Sequence, residues 1–268
     1  MKTLKGKVAV VTGGAGGIGR ATALRLAADG CDVAIADVNE AGMDETAREV
    51  RARGKRASVH RVDVSKEDEM ARLVDDVHAA HGRVHVVVNN AGVAVSQTVA
   101  EHDLADFEWV VGINFWGVVY GSKLFLPRLV EQGEGHIVNI SSVFGLIGLP
   151  TQSAYCATKF AVRGFTEALR AELVGTGVGV TSVHPGGVNT DIVKSARFAD
   201  ERARARSVRF FETRTVPPSR VADGISRAIL RDQGRLLVTA ETYVVDALKR
   251  VAPSLTDAVV GRFKGLAE

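Results

Sequence analysis

Seven short strand-like runs, most of them apolar at consecutive rather than alternate positions, limit most strongly the folds open to this chain. They are Val8–Val11, Val33–Ala36, Ser58–Val62, Val84–Val88, His136–Ile140, Val178–Val183 and Leu236–Val238. A strand that is apolar on both faces has to be covered on both, as happens when a parallel sheet lies between two layers of helix. The intervening segments can supply those layers, with amphipathic patterns near Ile18–Asp29, Asn39–Arg53, Lys66–His81, Asp103–Val130, Ser153–Val174 and Ser219–Arg231. This repetition predicts an α/β fold built on one doubly wound sheet, with right-handed crossovers and ligands beyond the carboxyl ends of the strands.

No linker or composition shift divides the 268 residues, so 1–268 is expected to form a single domain. With 46% hydrophobic and 24% charged residues, the composition excludes a disordered or collagen-like chain. The apolar part of the basic N-terminus ends at Thr12-Gly13-Gly14, too early for a secretory signal. Cys31 and Cys156 are too few for a disulfide framework or a zinc site, and His78, His81 and His85 form no helical ligand pair. A cytoplasmic protein without a metal is expected.

The first strand runs into Thr12-Gly13-Gly14-Ala15-Gly16-Gly17-Ile18-Gly19, and a helix follows at once. Glycines there let the backbone approach a pyrophosphate, whose charge the helix N-terminus stabilises. A phosphate-loop NTPase is a near miss, because Arg20-Ala21 stands where Lys-Ser/Thr is needed. Asp37 ends the second strand, where a carboxylate can hold ribose hydroxyls and repel a 2′-phosphate, which favours NAD over NADP. Its alternative is to cap the next helix, a task Asn39 can also do. Asp63-Val64 and Asn89-Asn90-Ala91-Gly92 close the third and fourth strands and extend the lining of one cleft.

Tyr155 and Lys159 lie four apart at a helix start, on one face. A tyrosine works as a base near neutral pH only if its phenolate is stabilised, and a neighbouring ammonium does that. Ser142, just past a strand, offers a hydroxyl to a substrate oxygen. Asn114, among Ile113, Phe115 and Trp116, is either a satisfied core amide or part of the same machinery.

Taken in order, these residues resemble the short-chain dehydrogenases/reductases, from about Lys5 to Asp191 and more weakly to Val238. The resemblance rests on Thr12-Gly13-x-x-x-Gly17-x-Gly19, Asn89-Asn90-Ala91-Gly92, Asn114, Ser142, Tyr155-x-x-x-Lys159 and Pro185-Gly186. It implies a Rossmann-type domain with a seven-stranded parallel sheet, and hydride transfer between NAD(P) and an alcohol or carbonyl. It casts Tyr155 as acid/base, Lys159 as ribose ligand and modulator of Tyr155, Ser142 as the group orienting the substrate oxygen, and Asn114 as holder of a relay water. Gly13, Gly17, Ile18 and Gly19 would cradle the pyrophosphate, Asp37 the ribose, Asp63 and Val64 the adenine. Asn90 would lie along the cofactor, and Pro185, Gly186, Val188 and Thr190 would hold the nicotinamide end. Homodimers or homotetramers are implied, commonly through the helices that contain Asn114 and Tyr155. An NADP-linked carbonyl or 3-oxoacyl reductase and a catalytically silent nucleotide sensor are the competing functions; the intact Asn114–Ser142–Tyr155–Lys159 set argues against the sensor.

Val93–Val95 and Val143–Ile147, both largely apolar, favour a hydrophobic substrate. Lys194–Arg214 occupies the place of a substrate-covering lid and holds seven basic and three acidic residues, leaving the remainder within one charge of neutral. It can read an anionic substrate handle, touch anionic lipid, or simply be a solvated charged cover; no nucleic-acid module accompanies it. In the tail, 241–268, Val244, Leu248, Val251, Leu255 and Val259 form a helical stripe expected to close the core or, alternatively, to meet another subunit. Pro253 is expected to open a second short helix.

Overall fold

The computed structural model describes residues 1–192, 195–198, 201, 204–205 and 215–261, without the side chains at 257 and 259. In chain order its first half comprises β1 (Val8–Thr12), α1 (Gly17–Ala28), β2 (Asp32–Asp37), α2 (Glu40–Ala52), β3 (Ala57–Arg61), α3 (Glu67–His81), β4 (Val86–Asn89), β5 (Val95–Ser96), α4 (Leu104–Val111) and α5 (Gly117–Glu131). There follow β6 (Gly135–Ile140), α6 (Ser153–Glu172), β7 (Val178–His184), β8 (Arg197–Phe198), α7 (Pro218–Leu230), β9 (Arg235–Leu237), α8 (Ala240–Val251) and α9 (Pro253–Gly261).

The main sheet has seven parallel strands in the order β3-β2-β1-β4-β6-β7-β9. Consecutive apolar residues explain why it is buried on both sides. Ala9 and Val11 face a layer formed by Leu26 of α1, Met43 and Val50 of α2, and Ile225 and Ile229 of α7. Val10, between them, faces Leu73 of α3, Phe125 and Leu129 of α5 and Leu169 of α6. Each fully buried side chain of this size contributes about 1.5–3 kcal/mol of apolar transfer free energy. The doubly wound α/β architecture and the seven parallel strands expected from the sequence are therefore present. From β1 the chain winds outward to β2 and β3, and then from β4 in the opposite direction. A crevice opens beyond β1 and β4, at that switch point.

Three features differ from expectation. The helix expected over Asp103–Val130 is interrupted by one π turn, Gly112–Trp116, between α4 and α5. The run 104–131 is long and apolar enough in composition to cross a membrane, yet it packs into the fold, with Val110, Val118, Phe125 and Leu129 buried. A small parallel pair, β5 with β8, was not anticipated; it joins Val95 to Arg197 and Ser96 to Phe198. The third difference concerns the tail stripe, which does not close the core. Val244, Leu248, Val251 and Leu255 are 57%, 43%, 85% and 58% exposed. Of α8 only Thr242 is buried, and it is the start of this helix, at Thr239 and Glu241, that lies against Gly186. Val259 lies outside the described side chains, and Pro253 does open α9.

Candidate active site

The loop after β1 shows why its glycines are needed. Gly13 and Gly17 have φ of +65° and +52°, a region that side chains other than glycine rarely enter. A Cβ on Gly13 would lie 2.7 Å from Asn90 Nδ2, and one on Gly19 would collide with the Gly13 carbonyl oxygen. That close packing ties β1 to β4. Asn90 N and Ala91 N donate to Thr12 Oγ1 at 3.0 and 3.2 Å, and Asn90 Nδ2 donates to Thr12 O at 2.9 Å. Helix α1 then starts at Gly16 with no side-chain cap and no acidic residue in its first turn. Its free N–H groups and positive dipole end suit a phosphate.

These features border a cleft of about 780 Å³ that runs from Asp37 to Tyr155. Gly13, Gly17, Ile18, Asp37 and Asn90 line one end; Ser142, Tyr155 and Lys159 line the other, with Pro185, Gly186, Val188 and Thr190 alongside. Gly19 lies beneath the loop, not on the wall. Asp63 and Val64 do not line the cleft: the Asp63 carboxylate accepts from Ser65 N and Oγ at 2.9 and 2.7 Å, and Val64 is buried against Gly117. The capping alternative for Asp37 falls to Asn39, whose side chain accepts from Gly42 N at 3.1 Å. Asp37 instead accepts from Ala15 N and Asn39 N, both at 3.0 Å, which fixes its carboxylate at the cleft edge.

At the other end, α6 brings Tyr155 and Lys159 to one face, with Lys159 Nζ 5.5 Å from the Tyr155 ring centroid. Nζ donates to Ile140 O at 3.0 Å, so the end of β6 holds the ammonium in place. Ser142 follows β6 with extended backbone and opens a single 3₁₀ turn, Val143–Gly145. Its Oγ accepts from Phe144 N at 3.1 Å, which leaves the hydroxyl proton to be given to Tyr155 or to a substrate oxygen. Phe144 packs edge-on against the Tyr155 ring at 6.1 Å and limits its rotation.

Burial pushes the Tyr155 hydroxyl up to about 12, and the hydrogen bond from Ser142 opposes that rise by stabilising phenolate. Burial also pulls Lys159 down to about 8, because desolvation disfavours its ammonium. A bound anionic or electron-rich group would therefore strengthen the lysine charge, and the lysine charge would in turn favour phenolate.

Asn114 is fully buried in the π turn. Its amide clamps the Val93 backbone, with Oδ1 accepting from Val93 N at 2.8 Å and Nδ2 donating to Val93 O at 2.9 Å. A satisfied core amide describes this side chain, and it lies close to Lys159: a Cβ on Gly92 would lie 3.3 Å from Asn114 Oδ1 and 3.6 Å from Lys159 Nζ.

A second, smaller cavity of about 110 Å³ adjoins Ser142 and Tyr155. Its walls include Ala94, Val143, Phe144, Val188, Ile192 and Phe198, with Ser96 and Gln152 as polar members. Of the stretches expected to shape substrate choice, Ala94, Val143 and Phe144 thus reach it, whereas Leu146 and Ile147 belong to the core. Phe198, read from the sequence as part of the apolar underside of a lid, arrives by the pairing of β8 with β5, which no local pattern announces. Ile192 was not singled out in the sequence. Nor was Arg20, which lines the main cleft with its guanidinium bonded to Ala15 O at 2.7 Å and Glu45 Oε2 at 2.8 Å.

Most of the basic lid, 194–214, lies outside the described residues, including Lys194, Arg202, Arg206, Arg209 and Arg214, and so do Phe210 and Phe211. Two of its described cations face carboxylates: Arg197 pairs with Asp106 and lies 3.8 Å above the Trp109 ring, and Arg204 pairs with Glu201 at 3.2 Å.

Comparison with known proteins agrees with this geometry. The model of the family described as short chain dehydrogenase matches residues 7–201. A protein of Mycobacterium tuberculosis named "Putative oxidoreductase SadH" is 43% identical over 258 residues, covering 95% of this chain and 94% of its own. Among solved structures, a short chain dehydrogenase/reductase from Burkholderia phymatum in complex with NAD superposes with a TM-score of 0.89 at 32% identity, covering 95% of this chain and 96% of its own. A metagenomic short-chain oxidoreductase in complex with NADP has a TM-score of 0.74 at 30% identity, covering 87% of this chain and 97% of its own. The glycine-lined switch-point cleft and the Ser142, Tyr155 and Lys159 wall thus stand on a chain that belongs to the short-chain dehydrogenase family of oxidoreductases.

Proposed function

We propose that this protein is an NAD-dependent dehydrogenase that interconverts a hydrophobic secondary alcohol and its ketone, with Tyr155 as the acid/base. The observation that carries the reading is one continuous cleft with a ribose-binding carboxylate, Asp37, at one end and the Ser142–Tyr155–Lys159 wall at the other. The residues fit a dinucleotide: side chains on Gly13 or Gly19 would fill the cradle, and the uncapped start of α1 offers N–H donors to a pyrophosphate. Gly13, Gly17 and Ile18 would form that cradle, with Gly19 beneath it and Asn90 along the cofactor. Pro185, Gly186, Val188 and Thr190 would hold the nicotinamide end, and Lys159 its ribose. NAD supplies the hydride acceptor in one direction and, reduced, the donor in the other.

The chain's own part is to bind and move a proton. Ser142 Oγ–H holds the substrate oxygen while Tyr155 Oη takes its proton during oxidation or returns it during reduction. Lys159 favours phenolate electrostatically, and Asn114, clamped beside it, keeps the route toward solvent in register. The apolar second cavity, with Phe144 and Phe198 on its walls, selects hydrophobic substrates.

An NADP-linked reductase is the second reading, because Arg20 stands on the cleft wall. Its ties to Glu45 and Ala15 O, and the Asp37 charge nearby, support NAD instead. Two buried free cysteines, Cys31 and Cys156, are in keeping with a cytoplasmic setting. Initial rates with cyclohexanol, 2-octanol and 1-phenylethanol, followed by the absorbance of the reduced nicotinamide, test the assignment. We expect kcat/KM at least tenfold higher with NAD than with NADP; the reverse order overturns the reading of Asp37, and cofactor binding without turnover on any alcohol favours a sensor.

A further inference from the structure

His184 ends β7 directly behind the oxygen-binding serine and is fully buried. Its Nδ1 lies 3.1 Å from Ser142 O, and because a carbonyl only accepts, Nδ1 carries the proton. Its Nε2 lies 2.9 Å from Ser182 Oγ and, in the neutral ring, accepts the hydroxyl proton. Burial keeps the ring neutral, pushing it down to about 4, so one tautomer holds over the whole working range of pH.

The other bonds to the serine itself come from within its own turn, Phe144 N to Oγ at 3.1 Å among them, and its neighbours carry the backbone bonds to β7. Ser141 N donates to Val183 O at 2.8 Å and Val143 N to Pro185 O at 2.7 Å, continuing the β6–β7 ladder past its last strand residue. The Ser142 carbonyl receives Gly145 N at 3.0 Å from within its own turn, and the imidazole supplies its contact to β7.

We propose that His184 is a positioning residue for catalysis: its Nδ1–H bond to the Ser142 carbonyl fixes the backbone from which the Ser142 hydroxyl meets Tyr155 and the substrate oxygen. This rests on the reading of Ser142 as the group that binds that oxygen. The geometry makes the effect large, since a displacement of about 1 Å at a reacting group costs up to about a hundredfold in rate.

The experiment combines tautomer detection with a mutant cycle. Nitrogen-15 imidazole spectra of the intact protein should show His184 as the Nδ1–H form between pH 6 and pH 9. Asparagine places an amide nitrogen near Nδ1, so His184→Asn should keep kcat within about threefold of the parent on the fastest of the three alcohols above. His184→Leu should lower kcat about tenfold while NADH binding, read by fluorescence, is unchanged. In a Ser142→Ala background, His184→Leu should cost nothing more. An Nε2–H tautomer, an asparagine variant no better than leucine, or the same loss with and without Ser142 overturns the proposal. If His184→Leu does not fold, the tautomer and the asparagine variant decide. Wild-type turnover by Ser142→Ala alone instead removes the reading of Ser142, and the proposal falls with it.

Discussion

Tyr155 and Lys159 are perturbed in opposite directions by the same cause, burial, and that fixes how their chemistry responds to pH. A tyrosine pushed up to about 12 remains protonated throughout the neutral range, so under the proposed mechanism its ionisation would not limit ketone reduction. Lys159, pulled down to about 8, loses its charge well before an exposed lysine would. Reduction should therefore decline as pH rises through about 8, measured as kcat against pH with a saturating ketone and NADH. A flat profile to pH 10 would show that the lysine charge is not used. Tyr155→Phe removes the proton donor and keeps the ring that packs on Phe144, so turnover should drop at least about a hundredfold with the fold intact. Near wild-type rates in that variant would remove Tyr155 from the chemistry.

Among the elements, the π turn between α4 and α5 does the most to set up the site. The single extra residue in the helix carries Asn114 inward, where it pairs with both backbone polar groups of Val93, the residue that leads into β5. Asn114→Ala takes both partners from the part-buried N–H and C=O of Val93, at up to about 1–3 kcal/mol for each group. We expect an urea-unfolding free energy lower by about 2 kcal/mol or more, together with reduced turnover. Unchanged stability would mean that water replaces the amide. Other close approaches also depend on single residues: a Cβ on Gly121 would collide with Asn89 Oδ1, so α5 lies against β4 only because that position is glycine. Strands β6 and β7 contribute buried histidines as well as backbone. His136 Nε2 is 2.7 Å from Thr181 Oγ1, and His184 stands behind Ser142.

Those histidines bear on the whole molecule, because both are held neutral, at about 4, by burial. In the unfolded chain they titrate near 6.5, so between about pH 6.5 and pH 4 the unfolded state binds more protons. Stability is complete above that window and is lost as pH falls through it, by about 2 kcal/mol per histidine at pH 5. The urea midpoint should fall accordingly between pH 7 and pH 5; an unchanged midpoint would show that neither ring is buried neutral. The outer surface carries its own expectation. Trp116 and Phe160, on the π turn and α6, are 45% and 40% exposed, and the α8–α9 stripe adds further uncovered apolar surface. Large exposed apolar side chains grouped on helices favour assembly, so gel filtration with light scattering should give a dimer or tetramer. A monomer at micromolar concentration would contradict it. The strand runs, the glycine turn and the Tyr155–Lys159 pair were all legible in the sequence, because each follows from local patterning: apolar runs demand two covered faces, positive φ demands glycine, and a four-residue spacing shares a helix face. Arg20 as a cleft residue, Ile192 and His184 were not legible, and Phe198 was read only as the underside of a lid, since their positions arise from contacts between segments far apart in the chain. The exposed tail stripe was misjudged for the same reason, as periodicity gives a helix its apolar face without saying whether anything lies against it. The sequence by itself determined the strands of the sheet and the Ser142, Tyr155 and Lys159 set. Only tertiary packing decided which side chains enclose the second cavity, which carboxylates occupy the cations, and what holds the serine in place, because each depends on contacts between distant segments.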